Sequence, residues 1–271
     1  MKRLLAVAAT LLALALPTLA EAGSSAEADP VLPRAEVLAF AVDVERDLAA
    51  RGAHVAIVAR VGRDPDTLPD GLRYTHVAYW VYSHIQHEDG STTKGYRAYN
   101  LYQLSDDPTR SRLVQDSPAD FFAGAHALDA GIIVPQLALQ VKLLKAITGP
   151  AYTAVHNPRY AVLANPLTRD FQNCTEHTLD VLVASLYDTR DPSRIKANIK
   201  AHFTPQPIAV SGLKRFFAPA LSGALVTSDH GARIRTATFG SIGRFMRRYD
   251  LAQDIYSVTP RPKAVPAPRP L

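Results

Sequence analysis

Apolar and polar positions change period several times along this chain, and each change predicts a new element. Residues 34–51 have helical spacing, with Val37, Leu38, Ala41, Val44 and Leu48 on one face and Gly52 as the stop. Residues 53–61 alternate or run apolar, as a buried strand does, and residues 63–71 form a Pro/Asp/Gly loop. Two aromatic, β-rich runs follow at 74–85 and 95–104, flanking Glu88-Asp89-Gly90-Ser91, and this arrangement predicts a hairpin. Helical pieces are expected at 118–128 and at 134–147, the second stopped by Gly149-Pro150, and a short strand at 160–164. A further helix starts at Cys174, with Leu179, Leu182, Val183 and Leu186 as its apolar stripe. Beyond it come a helix at 193–201, a Pro-broken link, an apolar piece at 213–217, a strand at 232–236 and a helix at 242–249. No internal repeat is visible, and the mixture predicts an α+β domain over residues 34–257.

The two ends differ from this middle. Lys2 and Arg3 precede an apolar stretch from Leu4 to Leu16, and Ala20-Glu21-Ala22 then offers a cleavage site before Gly23, so residues 1–22 read as a signal peptide for export to the periplasm or the medium. Residues 23–33 read as a polar leader. Residues 258–271 hold five prolines and three basic side chains, which predicts a disordered tail. The 271 residues carry a formal charge of +5; loss of Lys2, Arg3 and Glu21 with the leader leaves +4, too mild for a nucleic-acid partner. No segment after the leader reaches the roughly 18 unbroken apolar residues of a membrane span.

One cysteine allows no internal disulfide, and none stands at the cleavage site to carry a lipid anchor. Cys174 lies in Phe171-Gln172-Asn173-Cys174-Thr175-Glu176-His177, with Asn173 as a good N-cap and Glu176 three positions later, as in a capping box. At the first turn of a helix the sulfur meets the positive end of the dipole and unpaired backbone N–H groups, which favour a thiolate and can hold an oxyanion. A buried apolar role is the ordinary fate of a free cysteine. Retaining an unpaired thiol in an oxidising compartment argues for use instead. His76 opens the apolar run Tyr74-Thr75-His76-Val77-Ala78 and supplies a base that titrates near neutral pH.

These two motifs, Tyr74 to Ala78 and Asn173-Cys174-Thr175-Glu176, resemble the circularly permuted papain-like hydrolases of the NlpC type, in which a strand histidine precedes the cysteine. The sequence also resembles an uncharacterised group of secreted bacterial proteins with a Gln-Asn-Cys motif. The resemblance implies an antiparallel sheet packed by the cysteine-bearing helix, Cys174 as nucleophile and His76 as base. It also implies a third polar residue on the returning strand that orients the imidazole. Asn100 is favoured and Gln103 is the alternative, because the turn register is open. The glycine usual after His-Val is Ala78 here.

The implied activity is an amidase or esterase working through an acyl-enzyme, on peptide or acyl substrates such as peptidoglycan stem peptides. Lipid acyl hydrolysis or transfer, and a noncatalytic binding module on the same scaffold, are the alternatives. Competing constellations are weaker. His84, His87 and Glu88 border the turn without a second cluster, so neither a metal nor a cofactor is expected. His177, three residues after the cysteine, is the rival base. Ser211-Gly212-Leu213-Lys214 has the Ser-x-x-Lys spacing but no following Lys-Thr-Gly. Trp80 with Tyr79, Tyr82, Tyr96, Tyr99 and Tyr102 reads as sheet packing before it reads as a groove.

Overall fold

A computed structural model describes residues 30–209 and 226–260. The leader, the piece at 213–217, the Ser211–Lys214 spacing and residues 261–271 lie outside the described residues. Helix α1 (Arg34–Ala50) is followed by strand β1 (Val55–Val61), then by the long pair β2 (His76–Gln86) and β3 (Thr92–Gln103). Gly90, at φ 82°, takes the left-handed position that the hairpin turn needs. Strand β4 (Ser111–Asp116), helix α2 (Pro118–Ala123) and strand β5 (Ala127–Pro135) come next. Helices α3 (Leu137–Ile147), α4 (Pro150–Ala154), α5 (Cys174–Tyr187) and α6 (Pro192–His202) complete the middle. After the short pair β6 (Gln206–Pro207) and β7 (Arg235–Thr236), the described residues close with helix α7 (Phe239–Arg248) and strand β8 (Ala252–Val258).

Six strands form one antiparallel sheet in the order β4-β3-β2-β1-β5-β8. The expected α+β class with an antiparallel sheet is therefore present. Side chains alternate across the pleat, and each face buries its own core. On one face Val77, Tyr79 and Val81 of β2 pack with Leu179 and Leu182 of α5, Leu143 of α3 and Ile242 of α7. On the other, Ala78 and Trp80 pack with Phe40, Val44 and Leu48 of α1 and with Phe121 and Phe122 of α2.

Several boundaries differ from the pattern. Residues 127–135 form a central strand between β1 and β5's outer neighbour β8, not the end of one helix and the start of another. A short apolar run reads equally as buried strand or buried helix, and tertiary pairing decides it. The residues at 160–164 make only an isolated bridge, Tyr160 with Gln172. At 232–236, only Arg235 and Thr236 are strand. Leu38 is 44% exposed, and Phe40 fills the core beside Ala41 instead. Strand β8 runs to Val258, the first residue of the expected tail, and pairs it with Ala130.

Candidate active site

Helix α5 starts where the sequence predicts. Asn173 is extended and caps it: its Oδ1 accepts from the Glu176 N–H at 2.9 Å, and its Nδ2 donates to the Val162 carbonyl at 2.9 Å. The reciprocal half of the capping box is missing. The Glu176 carboxylate turns away to Lys196, whose ammonium lies 2.6 Å from Glu176 Oε1 and 2.7 Å from Asp180 Oδ1. Burial pushes the Glu176 carboxyl upward against the pull of the Lys196 ammonium. Cys174 is 4% exposed, and its Sγ lies 3.9 Å from the Thr75 carbonyl oxygen. The thiol borders an apolar-walled cavity of about 60 Å³, with Tyr74, Thr75, Tyr160, Val162 and Leu163 among its walls. That space holds a few waters or a small group, far less than the roughly 300 Å³ at which drug-sized pockets begin.

His76 is anchored from the neighbouring strand. Its Nε2 lies 3.0 Å from Asn100 Oδ1, while Asn100 Nδ2 donates to Asp116 Oδ2 at 3.2 Å and to the Ala98 carbonyl at 3.3 Å. Tyr102 donates its hydroxyl to the same Asp116 oxygen at 2.7 Å. A carboxylate only accepts, so Asp116 draws the amide NH₂ toward itself and leaves Oδ1 for the imidazole. Nε2 must then carry the ring proton, and in the neutral ring Nδ1 is the lone-pair nitrogen. That Nδ1 is buried and has no hydrogen-bond partner. Burial first, and the nearby Arg60 guanidinium second, push the His76 pKa well below 6.5, against the opposing bond from Asn100.

The hairpin register separates the two candidate orienting residues. Tyr79 pairs with Tyr99 and Trp80 with Ala98, so even-numbered β3 residues share the face of His76. Asn100 meets the ring there. Gln103 falls on the opposite face, where its Nε2 donates to the Pro108 carbonyl at 2.7 Å.

Cys174 and His76 approach the start of β2 from different sides. The His76 ring stacks on Tyr102 (4.9 Å between centroids, 11° between planes) and packs on Phe121 of α2 at 5.4 Å. Cys174 packs with Leu101 and Tyr160 beneath α5, on the other face, and touches the strand through the carbonyl just before His76. The helix that carries the cysteine therefore packs on the sheet face opposite the His76 ring. The pleat turns His76 toward α2.

The remaining candidates separate clearly. His177 is buried against Tyr152, its Nε2 3.1 Å from the Tyr152 carbonyl oxygen, and burial lowers its pKa to about 3. It is not among the residues that line the cysteine cavity. His87 Nε2 lies 2.8 Å from the Thr93 hydroxyl in the exposed turn, and among the described residues no three His, Cys, Asp or Glu side chains come together as metal ligands. Trp80, Tyr79, Tyr96 and Tyr102 are core, while Tyr82 is partly exposed. Sequence reasoning missed Asp116, which orients Asn100, and Arg60, a fully buried cation beside His76. An arginine inside the apolar run 55–61 was the available signal for the second.

The sheet, the two helical layers and the capped cysteine helix define an α+β protein with one thiol at a helix N-terminus. The chain belongs to the family described as uncharacterized proteins conserved in bacteria (DUF2145), which matches residues 47–246 and so spans Arg60, His76, Asn100, Asp116 and Cys174. No curated protein and no solved structure matches the chain.

Proposed function

We propose that the protein is an exported thiol hydrolase of the permuted papain-like, NlpC type, acting on an amide or ester carbonyl, with cell-wall peptides as the substrate class. One observation carries the reading: His76 is fixed through Nε2 by Asn100 and its lone-pair nitrogen Nδ1 is left unpartnered, while the Cys174 thiol reaches the backbone carbonyl of the residue just before it, Thr75. A buried acceptor without a donor is costly, and the thiol, which donates to the Thr75 carbonyl in this structure, is the proton source that the hydrolase reading assigns to it. In the reaction Nδ1 takes that proton as sulfur attacks the carbonyl carbon. The backbone N–H groups at the very start of the helix face the developing oxyanion, apart from that of Glu176, which the Asn173 cap holds. Nδ1 then gives the proton to the leaving amine or alkoxide, leaving a thioester. Water, deprotonated by Nδ1, cleaves the thioester and restores the thiol.

A noncatalytic binding module on the same scaffold is the second reading. It is favoured by the His76 ring, 1% exposed and packed on the face opposite α5. Incubation with p-nitrophenyl acetate followed by peptide mass spectrometry separates the two. The hydrolase reading expects acetyl transfer to Cys174, lost in Cys174→Ser and at least about tenfold slower in His76→Ala, the lower range for a removed general base. Absence of the adduct, or equal rates with and without His76, supports the binding module.

A further inference from the structure

A second cleft shares the first turn of the cysteine helix. Cys174 borders one cavity, whereas Glu176, two residues later, lines another of about 340 Å³ between the start of α5, the segment 154–159 and α6. That volume falls in the range of small-ligand sites, which begins at roughly 300 Å³. Its floor is a chain of side chains bonded to one another. The Lys196 ammonium lies 2.6 Å from Glu176 Oε1 and 2.7 Å from Asp180 Oδ1, Gln172 Nε2 donates to Asp180 Oδ2 at 2.7 Å, and Gln172 Oε1 accepts from the Asn157 N–H at 2.8 Å. One acceptor is left over. Glu176 is fully buried, and its Oε2 has no hydrogen-bond partner.

Charge and hydrogen bonding define what complements this cleft. Two buried carboxylates share one ammonium, and a buried acceptor without a donor is costly. A ligand ammonium at Oε2 supplies both the missing donor and a second positive charge. It takes the place of the proton that burial, with Asp180 and Asp229 adding to it, favours on Glu176. The rim has the opposite sign. Arg159 and Arg169 line the same cleft and are exposed. The Arg159 guanidinium lies over the Phe171 ring, 4.7 Å from its centroid, a contact that engages the face of the group and leaves its N–H edge for an anion. Arg169 Nη1 donates to the Ser193 hydroxyl at 3.2 Å, and among the described residues neither arginine pairs with a carboxylate. A guanidinium edge matches a carboxylate in bidentate geometry.

We propose that this cleft is a second ligand site, which takes a free amino acid or short peptide by seating its ammonium on Glu176 and its carboxylate at Arg159 and Arg169. Among the described residues it shares no lining side chain with the Cys174 cavity. Neither the cleft nor its ligand depends on Cys174 acting as a nucleophile.

Isothermal titration calorimetry of the purified protein with glycine, dialanine and trialanine tests it. At least one of the three should bind saturably. The N-acetylated form of that ligand lacks the ammonium and the C-amidated form lacks the carboxylate. Each should bind at least about tenfold more weakly, the loss expected for a hydrogen bond to a charged group. Glu176→Gln, which removes the charge at the floor and keeps the side-chain shape, should weaken the free ligand by a similar factor. The double variant Arg159→Ala, Arg169→Ala alters exposed side chains alone and serves if the glutamine variant does not fold; it should remove the preference for the free carboxylate over the amide. Saturable binding by none of the three compounds overturns the proposal. Equal affinity for free and capped forms does so too, as does unchanged affinity in a folded Glu176→Gln protein or in the double arginine variant.

Discussion

At the scale of single residues, two buried histidines and one half-buried one tie the fold to pH. His76, His156 and His177 each have a pKa below 6.5, chiefly because burial penalises the charged ring. The unfolded chain takes up protons near pH 6.5 that the folded chain refuses. This stabilising contribution is fully present above about pH 6.5 and is lost as pH falls, for His177 down to about 3. Each fully buried histidine contributes at most about 1.4 kcal/mol per pH unit within its window. Between pH 7 and pH 5 these histidines push the melting temperature down, against the opposite push of the buried Glu176 and Asp180 carboxyls, whose raised pKa values favour the protonated fold, so a variant is needed to read the histidine part of the slope. His177→Gln, which keeps a donor for the Tyr152 carbonyl, should flatten that slope, and an identical slope in the variant would contradict the assignment. Cys174 and His76 were legible from residue type and local pattern. Arg60 and Asp116 were not, since their roles come from cross-strand neighbours that only the register reveals.

Helix α5 is held from below by the buried triad of Glu176, Asp180 and Lys196, which ties its first turns to α6. Lys196 is the shared cation between two carboxylates that burial pushes upward. Replacing it with methionine leaves both acids without their partner, a change that typically costs about 3–5 kcal/mol. Urea unfolding of Lys196→Met should show a lower midpoint with an unchanged slope, and a midpoint equal to the wild type would show that the triad does not hold the helix. The elements that carried a clean period were legible: α1, the β2–β3 hairpin with its Gly90 turn, and α5 with its Asn173 cap. Strands β4, β5 and β8 were not, because Ser111–Asp116 and Ala252–Val258 lack strong alternation and Ala127–Pro135 is apolar on both faces.

Across the whole molecule, the order of elements places a strand histidine well before the cysteine helix, and the sheet brings both to the start of β2. The α+β class and this order were readable from sequence. The side from which each residue approaches was not, because a one-residue change in alternation exchanges the faces. The central proposal is that Cys174 becomes a reactive thiolate with the help of His76. The most direct measurement is the rate of Cys174 alkylation by iodoacetamide as a function of pH, in the wild type and in His76→Ala. The account predicts an apparent thiol pKa clearly below the usual value of about 8.5, with slower labelling near neutral pH once the imidazole is removed. A profile centred near about 8.5 and indifferent to His76 would contradict it.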